Sequence, residues 1–259
     1  MNPVRQIFNK VINRKFRSTQ VAEIHQLTPH LKRFVLSGDD LHDFPTDQDG
    51  AHVKIIFLAD GLPVTPNNQQ NAIKRSYTIR EFDANQKRLT LDFVVNRHQG
   101  PATQWAQQAK VGDQLTIAGP GTRKLTNFEA PSYLLIGDIT AVNAVNGYAK
   151  FISSEASITA IVTVPTADDV IEMDGAQQVH WHIEDQSTLS LEEFTRTLAS
   201  NLSKDSQVFM GLEASQLRTI KGMLLRELDF SRLNMHATGY WKQGMDADKF
   251  GADKKKNPL

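Results

Sequence analysis

Tyr133-Leu134-Leu135-Ile136-Gly137-Asp138-Ile139-Thr140-Ala141 is the stretch on which the fold turns. Its apolar run is too short for a helix, does not alternate, and stops at Gly-Asp. That pattern fits a strand buried on both faces, as in a parallel sheet. A helix start follows directly, so the unit is strand, tight turn, helix. Ligands of such sheets gather at the carboxyl ends of the strands, where Asp138 and Thr140 would lie. The plainer use of either residue is a helix cap. The chain contains no Gly-x-Gly-x-x-Gly, so the usual dinucleotide fingerprint is absent.

Downstream the rhythm repeats. Ser132–Ile136, Ile158–Val164, Val179–Ile183, Gln207–Met210 and His236–Tyr240 read as strands, with helical stretches over 141–152, 190–201 and 214–227. Ser190 followed by Glu193 is a capping-box start for the second helix. Alternating strands and helices predict a parallel α/β domain over residues 127–259. Its polar tail from Asp246 onward, with Lys254-Lys255-Lys256, reads as a mobile end. The lysine run would solubilise the chain, attract an acidic partner such as a ferredoxin, or reach over an anionic chelate. His180 and His182 would share one strand face, but no third metal ligand follows at a workable spacing, so a polar exposed edge is predicted and no metal site.

Upstream, from Phe16 to about Thr126, the pattern is β. Phe34–Leu36, Val53–Leu58, Ser76–Ile79, Leu89–Val95 and Gln114–Ile117 are short apolar or alternating runs, separated by turn clusters such as Ser37-Gly38-Asp39-Asp40 and Gly61-Leu62-Pro63. Closely spaced strands with one helix, opening at Gly100-Pro101, predict a small antiparallel barrel over residues 1–126. Arg5, Lys10, Arg14, Lys15 and Arg17 precede the first acid, Glu23, and Ile7, Phe8, Val11, Ile12 and Phe16 fall near helical spacing. They predict a short basic amphipathic helix docked on its own domain; a membrane-surface or targeting helix would look similar.

Composition narrows the function. The 259 residues carry 29 Lys and Arg against 29 Asp and Glu, so no global field points to nucleic acid. With no cysteine, the chain cannot form disulfides, thiolate zinc sites or a thiol nucleophile. No apolar run approaches the roughly 18–20 residues of a membrane span, so stable membrane insertion is not expected. The expectation is a monomeric cytoplasmic protein.

The densest chemistry is Arg75-Ser76-Tyr77-Thr78-Ile79-Arg80. On a strand, Arg75, Tyr77 and Ile79 face one way and Ser76, Thr78 and Arg80 the other. An arginine can hold a pyrophosphate with two bonds, a tyrosine can stack on a flat heterocycle, and a hydroxyl can bond a ring edge. An ordinary amphipathic strand would also look like this. Further on come Asp92-Phe93-Val94-Val95 and then Gly100-Pro101-Ala102-Thr103-Gln104-Trp105, where a Gly-Pro turn opens a helix whose free N–H groups suit a pyrophosphate.

In this order these segments resemble the siderophore-interacting protein family, the ferric-siderophore reductases that hold FAD. The resemblance runs from about Phe16 to Gly244. It rests on Thr28-Pro29-His30-Leu31-Lys32-Arg33-Phe34, His52-Val53-Lys54, Arg75-Ser76-Tyr77-Thr78, Gly100-Pro101-Ala102-Thr103-x-Trp105, Gly137-Asp138-x-Thr140-Ala141, Glu213-Ala214-Ser215 and Gly239-Tyr240-Trp241. It implies a ferredoxin-reductase-like architecture, with an FAD-binding barrel followed by an NAD(P)H-domain-like region. It also implies that Arg75 grips the FAD phosphates, Tyr77 lies along the flavin and Thr78 bonds near its reactive edge. Gly100, Pro101, Ala102 and Thr103 would complete the pyrophosphate site, with Ser76, Asp92, Phe93 and Val94 beside it. Asp138 and Thr140 would face the electron donor, and Tyr240 and Trp241 would close the pocket. A basic mouth for a ferric siderophore would draw on Lys54, Arg123, Lys124 and Lys242. Two positions depart from the family pattern: Lys242 stands where arginine is usual, and Ile139 where an acid is usual. The first bears on siderophore preference, the second on the donor.

The implied activity is single-electron reduction of Fe(III)-siderophore from bound FAD, with NAD(P)H or ferredoxin as the donor. A general NAD(P)H:flavin or ferric-chelate diaphorase and a non-catalytic ferric-siderophore binding module are the alternatives.

Overall fold

A computed structural model describes residues 15–59, 64, 65, 68–97, 99–176 and 178–257. Arg17, Thr19 and Val21 are buried while Phe16, Ser18 and Gln20 face out. This period of two makes β1 (Phe16–Thr28) a strand. The predicted N-terminal helix therefore does not reach Phe16 or Arg17, and its remaining residues up to 14 lie outside the described residues. Local sequence misled here because the Arg17 contacts are distant in the chain: its guanidinium donates to the Gly119 carbonyl at 2.7 Å and to Asp43 at 3.3 Å.

Five more strands complete a closed antiparallel barrel: β2 (Leu31–Ser37), β3 (His52–Phe57), β4 (Ile73–Asp83), β5 (Arg88–Val94) and β6 (Gln114–Gly121), in the order β1-β2-β5-β4-β3-β6. Phe34, Leu36, Val53, Ile55, Ile79, Leu91, Phe93 and Ile117 fill it. Helix α1 (Pro101–Gln108) packs Ala102, Ala106 and Trp105 against that core.

The rest of the chain forms a five-stranded sheet from β7 (Ser132–Asp138), β8 (Ser157–Val164), β9 (Val179–Ile183), β10 (Gln207–Glu213) and β11 (Met235–Trp241). Every pairing is parallel and the order is β11-β10-β7-β8-β9, which reverses direction between β7 and β10. Alternate residues of β7 enter opposite cores. Tyr133 and Leu135 meet α2 (Val142–Phe151); Leu134 and Ile136 meet the layer of α3 (Leu191–Ala199) and α4 (Ala214–Arg226). Ser190 and Glu193 form the predicted capping box of α3. The α2 side of the sheet faces the barrel, and Leu31 and Val94 join its core.

Two further expectations change. The tail is not loose: α5 (Ala247–Lys256) starts at Asp246, which accepts from the N–H groups of Asp248 and Lys249, and Phe250 is buried. His182 is not at an exposed edge; it is buried, with Nδ1 bonded to Thr163 Oγ1 and Nε2 to the Leu189 carbonyl, both at 2.9 Å.

Candidate functional site

The geometry converges where β4 of the barrel meets the carboxyl edge of the sheet. On β4 the half-buried Tyr77 ring stacks on Phe93 at 4.0 Å and 27°; burial pushes its phenol well above the ordinary range. The Arg75 guanidinium donates through both terminal nitrogens to the two carboxylate oxygens of Asp248, at 3.1 and 2.9 Å. Ser76 is exposed and accepts from Lys54 Nζ at 2.5 Å, as the pairing of Lys54 with Ser76 across β3 and β4 requires. Thr78 hydrogen-bonds Tyr240, whose phenol is also raised by burial.

The start of α1 is open. Gly100 is its N-cap, no side chain caps it, and a Cβ built at Gly100 would meet nothing within 4 Å. Pro101 fills the first turn, while Ala102 and Thr103 are buried, so this segment offers backbone N–H groups more than a hydroxyl. Asp92, Phe93 and Val94 are likewise buried. Asp92 accepts two bonds from Arg33, at 2.8 and 2.9 Å, and one from Asn143 at 3.0 Å, which ties the barrel to α2. Phe93 acts from behind, as the floor under Tyr77.

On the sheet side, Asp138 ends β7 at the reversal of strand order. Its carboxylate accepts from the Thr140 N–H at 2.8 Å, the Thr140 hydroxyl at 2.5 Å and the Trp241 indole N–H at 2.8 Å. Burial nonetheless raises its pKa, partly offset by these donors. The neighbouring Glu213 ends β10, accepts from the N–H groups of Ser215 and Gln216 at 2.6 and 3.0 Å, and receives the Gln243 N–H at 3.2 Å. Two buried carboxylates thus hold the ends of β7, β10 and β11 together, and the first fixes the Trp241 ring.

The basic candidates separate. Lys242 pairs with Asp253 at 3.0 Å. Lys254 donates to the Gly239 carbonyl at 3.1 Å, and burial and then the Lys124 charge lower its pKa. Lys124 and Lys242 therefore lie toward the last helix, while Lys54 lies beside Ser76 on the barrel wall. Arg123 is engaged elsewhere: it bonds the carbonyls of Asp49 (2.9 Å) and Asp47 and lies 3.9 Å over the Phe151 ring. Among the described residues no cluster of three or more His, Asp or Glu is arranged for a metal.

Sequence reasoning missed Asp248 and Asp253. The available signal was Asp246-Ala247-Asp248-Lys249-Phe250, an Asp cap with an acid in the first turn and one apolar anchor. As a donor set, an arginine fork already holding two anionic oxygens, an uncapped helix start, a stacked aromatic platform and ring-edge hydroxyls together fit an FAD, with its pyrophosphate and flat ring system.

Comparison with known proteins agrees. Residues 20–124 match the siderophore-interacting FAD-binding domain, and residues 130–244 match the siderophore-interacting protein family. The chain is 26% identical over 242 residues to the ferric vibriobactin reductase ViuB of Vibrio cholerae, covering 86% of this chain and 88% of that one. The siderophore-interacting protein SipS of Aeromonas hydrophila superposes with a TM-score of 0.78 at 29% identity, over 94% of this chain and 98% of its own. A siderophore utilization protein from T. fusca gives 0.75 at 31% identity, over 90% and 94%. Phthalate dioxygenase reductase shares the fold alone, with a TM-score of 0.68 at 12% identity over 90% of this chain and 70% of its own. The chain belongs to the siderophore-interacting protein family, with FAD as its cofactor and the barrel-plus-parallel-sheet architecture of the ferredoxin reductases.

Proposed function

We propose that the protein is an FAD-dependent ferric-siderophore reductase. The single observation that carries the proposal is the Arg75 fork. It binds a pair of anionic oxygens beside the Tyr77–Phe93 stack, where β4 meets the carboxyl edge of the sheet. Arg75 would grip the pyrophosphate, helped by Ser76 and by the backbone N–H groups of the Gly100–Thr103 turn. Tyr77 would lie along the flavin ring on its Phe93 floor, with Asp92 and Val94 setting that floor in place. The Thr78 hydroxyl, held by Tyr240, would meet the ring edge. Trp241, oriented by Asp138 and Thr140, would close the opposite side, where the electron donor arrives.

When bound, FAD supplies one-electron chemistry: its reduced form can give two electrons singly to two Fe(III) ions. Fe(II) holds hard oxygen ligands far more weakly than Fe(III), so each chelate that is reduced releases its iron. The proton that reoxidation of the reduced flavin would also release can pass to water, so no side chain is required as a base. The side chains position the cofactor, and Lys54, Lys124 and Lys242 form a cationic mouth that raises the local concentration of an anionic chelate. Arg123, already engaged by carbonyls and Phe151, is left out of the mouth. No described helix is long and apolar enough to cross a membrane; the proposed setting is the cytoplasm, with NAD(P)H or ferredoxin as donor.

The test is an anaerobic visible spectrum of the FAD-loaded protein during titration with NADH, then NADPH, then a ferric siderophore. Bleaching by a nucleotide and recolouring by the ferric siderophore is the expected result. Bleaching by neither nucleotide, with recolouring after chemical reduction, assigns the donor role to a ferredoxin. Failure to take up FAD, or a reduced flavin indifferent to ferric siderophore, overturns the proposal.

A further inference from the structure

Two side chains given ligand roles above are bonded to α5, and the charge of a third, Lys124, is felt there. Asp248 takes both arms of Arg75, Asp253 takes the Lys242 ammonium, and Lys254 lies between the Gly239 carbonyl and the Lys124 charge. The exposure of the first pair is lopsided. The Arg75 side chain is 14% exposed and Asp248 is 80% exposed. A nearly buried guanidinium is costly to leave without an anion, whereas an exposed carboxylate is rehydrated at little cost. Arg75 therefore requires an anion without requiring this one. A carboxylate and a phosphate also present the same two-oxygen edge to a guanidinium fork.

The attachment of α5 fits such an exchange. It is anchored by Phe250, buried at 3% exposure, and follows Gly244, which sits at φ +72° with open space where a side chain would be. A short link with one glycine in the left-handed region gives the helix a pivot, and besides one apolar anchor its attachments are polar and exchangeable.

We infer that α5 is a built-in anionic competitor that sets which ligands the site admits. Asp248 stands in for the FAD pyrophosphate on Arg75, and Asp253 stands in for an anionic group of the ferric chelate on Lys242. This rests on the FAD and chelate assignment above and narrows it. A chelate with localised negative charge, of the catecholate or carboxylate type, displaces Asp253, and a neutral hydroxamate chelate does not.

The isosteric variants Asp248→Asn and Asp253→Asn keep the helix and remove one competing charge each. FAD affinity is read by quenching of flavin fluorescence. Chelate affinity is read calorimetrically on the oxidised protein with redox-inert Ga(III) complexes, one an anionic tris-catecholate and one a neutral tris-hydroxamate. Asp248→Asn is expected to tighten FAD by about two- to fivefold, the scale of an exposed ion pair. Asp253→Asn is expected to tighten the tris-catecholate by about the same factor and leave the tris-hydroxamate unchanged. FAD binding that is unchanged or weaker in Asp248→Asn overturns the role of Asp248. Equal effects on the two gallium complexes, or none, overturn that of Asp253. If the wild-type protein takes up no FAD, the reductase assignment falls and the competitor with it; if it takes up FAD and the variants bind no better, the competitor alone falls.

Discussion

The barrel meets the parallel sheet in two places that are built differently. At the α2 face the contacts are close and shared among several partners. Asp174 accepts from Arg80 at 2.9 Å and Asn146 at 2.7 Å and pairs with Lys150 at 3.1 Å, while Lys150 reaches Asp49 at 2.8 Å. Asp169, fully buried, accepts from the Thr28 hydroxyl at 2.7 Å, the His30 N–H at 3.1 Å and the His30 ring at 2.8 Å. At the β4–α5 junction two separate ion pairs close the gap, Arg75 with the exposed Asp248 and Lys242 with the half-buried Asp253. A ligand cannot replace the first set without taking the domains apart, whereas in the second each carboxylate can be exchanged for another anion. One contact fixes the two halves; the other is the one that the proposed ligands would exchange.

The largest expected effect lies at the fixed contact. A Cβ at Gly147 would come within 2.3 Å of the Gly50 backbone nitrogen. Gly147→Val should cost about 3 kcal/mol of stability, read by urea denaturation; a loss within experimental error would show that this face is not tightly packed. Next, Arg75→Ala should weaken FAD about 10- to 100-fold, since a charged hydrogen bond contributes about 1.5–3 kcal/mol, with the urea midpoint unmoved. A shift in that midpoint instead would mean that the fork serves the fold. A smaller effect belongs to the mouth. Lys242→Gln should slow reduction of an anionic ferric chelate about threefold at low ionic strength and converge on wild type in about 1 M salt, where screening is short. Equal slowing at every salt concentration would mean that Lys242 does not act through long-range charge.

The smallest is a pH effect. Burial pushes the Asp174 carboxyl up, but Asn146, Lys150 and Arg80 outweigh it and hold its pKa down to about 2. A folded pKa below the unfolded value of about 3.9 gives stability that is present above pH 4 and lost as the pH falls toward 2. Asp174 is half exposed, so screening keeps its share below about 1 kcal/mol. Asp174→Asn should flatten that part of the acid limb of stability by this amount and leave FAD binding alone. A steeper acid limb in the variant would contradict the sign.

How much of this was legible in the sequence followed how local each cause is. The β7 apolar run, the Gly137-Asp138 stop and the Ser190–Glu193 box are short-range patterns, and the sheet came out as they predict. The Arg75-to-Thr78 stretch lies on a strand, as its alternation predicts. The burial of Asp92 was not readable, because Arg33 and Asn143, which hold it, lie 59 and 51 residues away. The basic N-terminal run drew Phe16 and Arg17 into a helix because the Gly119 carbonyl that Arg17 needs is 102 residues away. The last helix was hidden by its lysines and acids: one phenylalanine in ten residues is too thin an apolar stripe to read, and its pairs are with residues elsewhere in the fold.

Electron stoichiometry tests the central claim most directly. The FAD-loaded protein, reduced chemically and freed of excess reductant, would be mixed anaerobically with a ferric siderophore and a ferrous-specific chelator. The account predicts two Fe(II) trapped per FAD, with full return of the oxidised flavin spectrum. A flavin that stays reduced while no Fe(II) appears would contradict it.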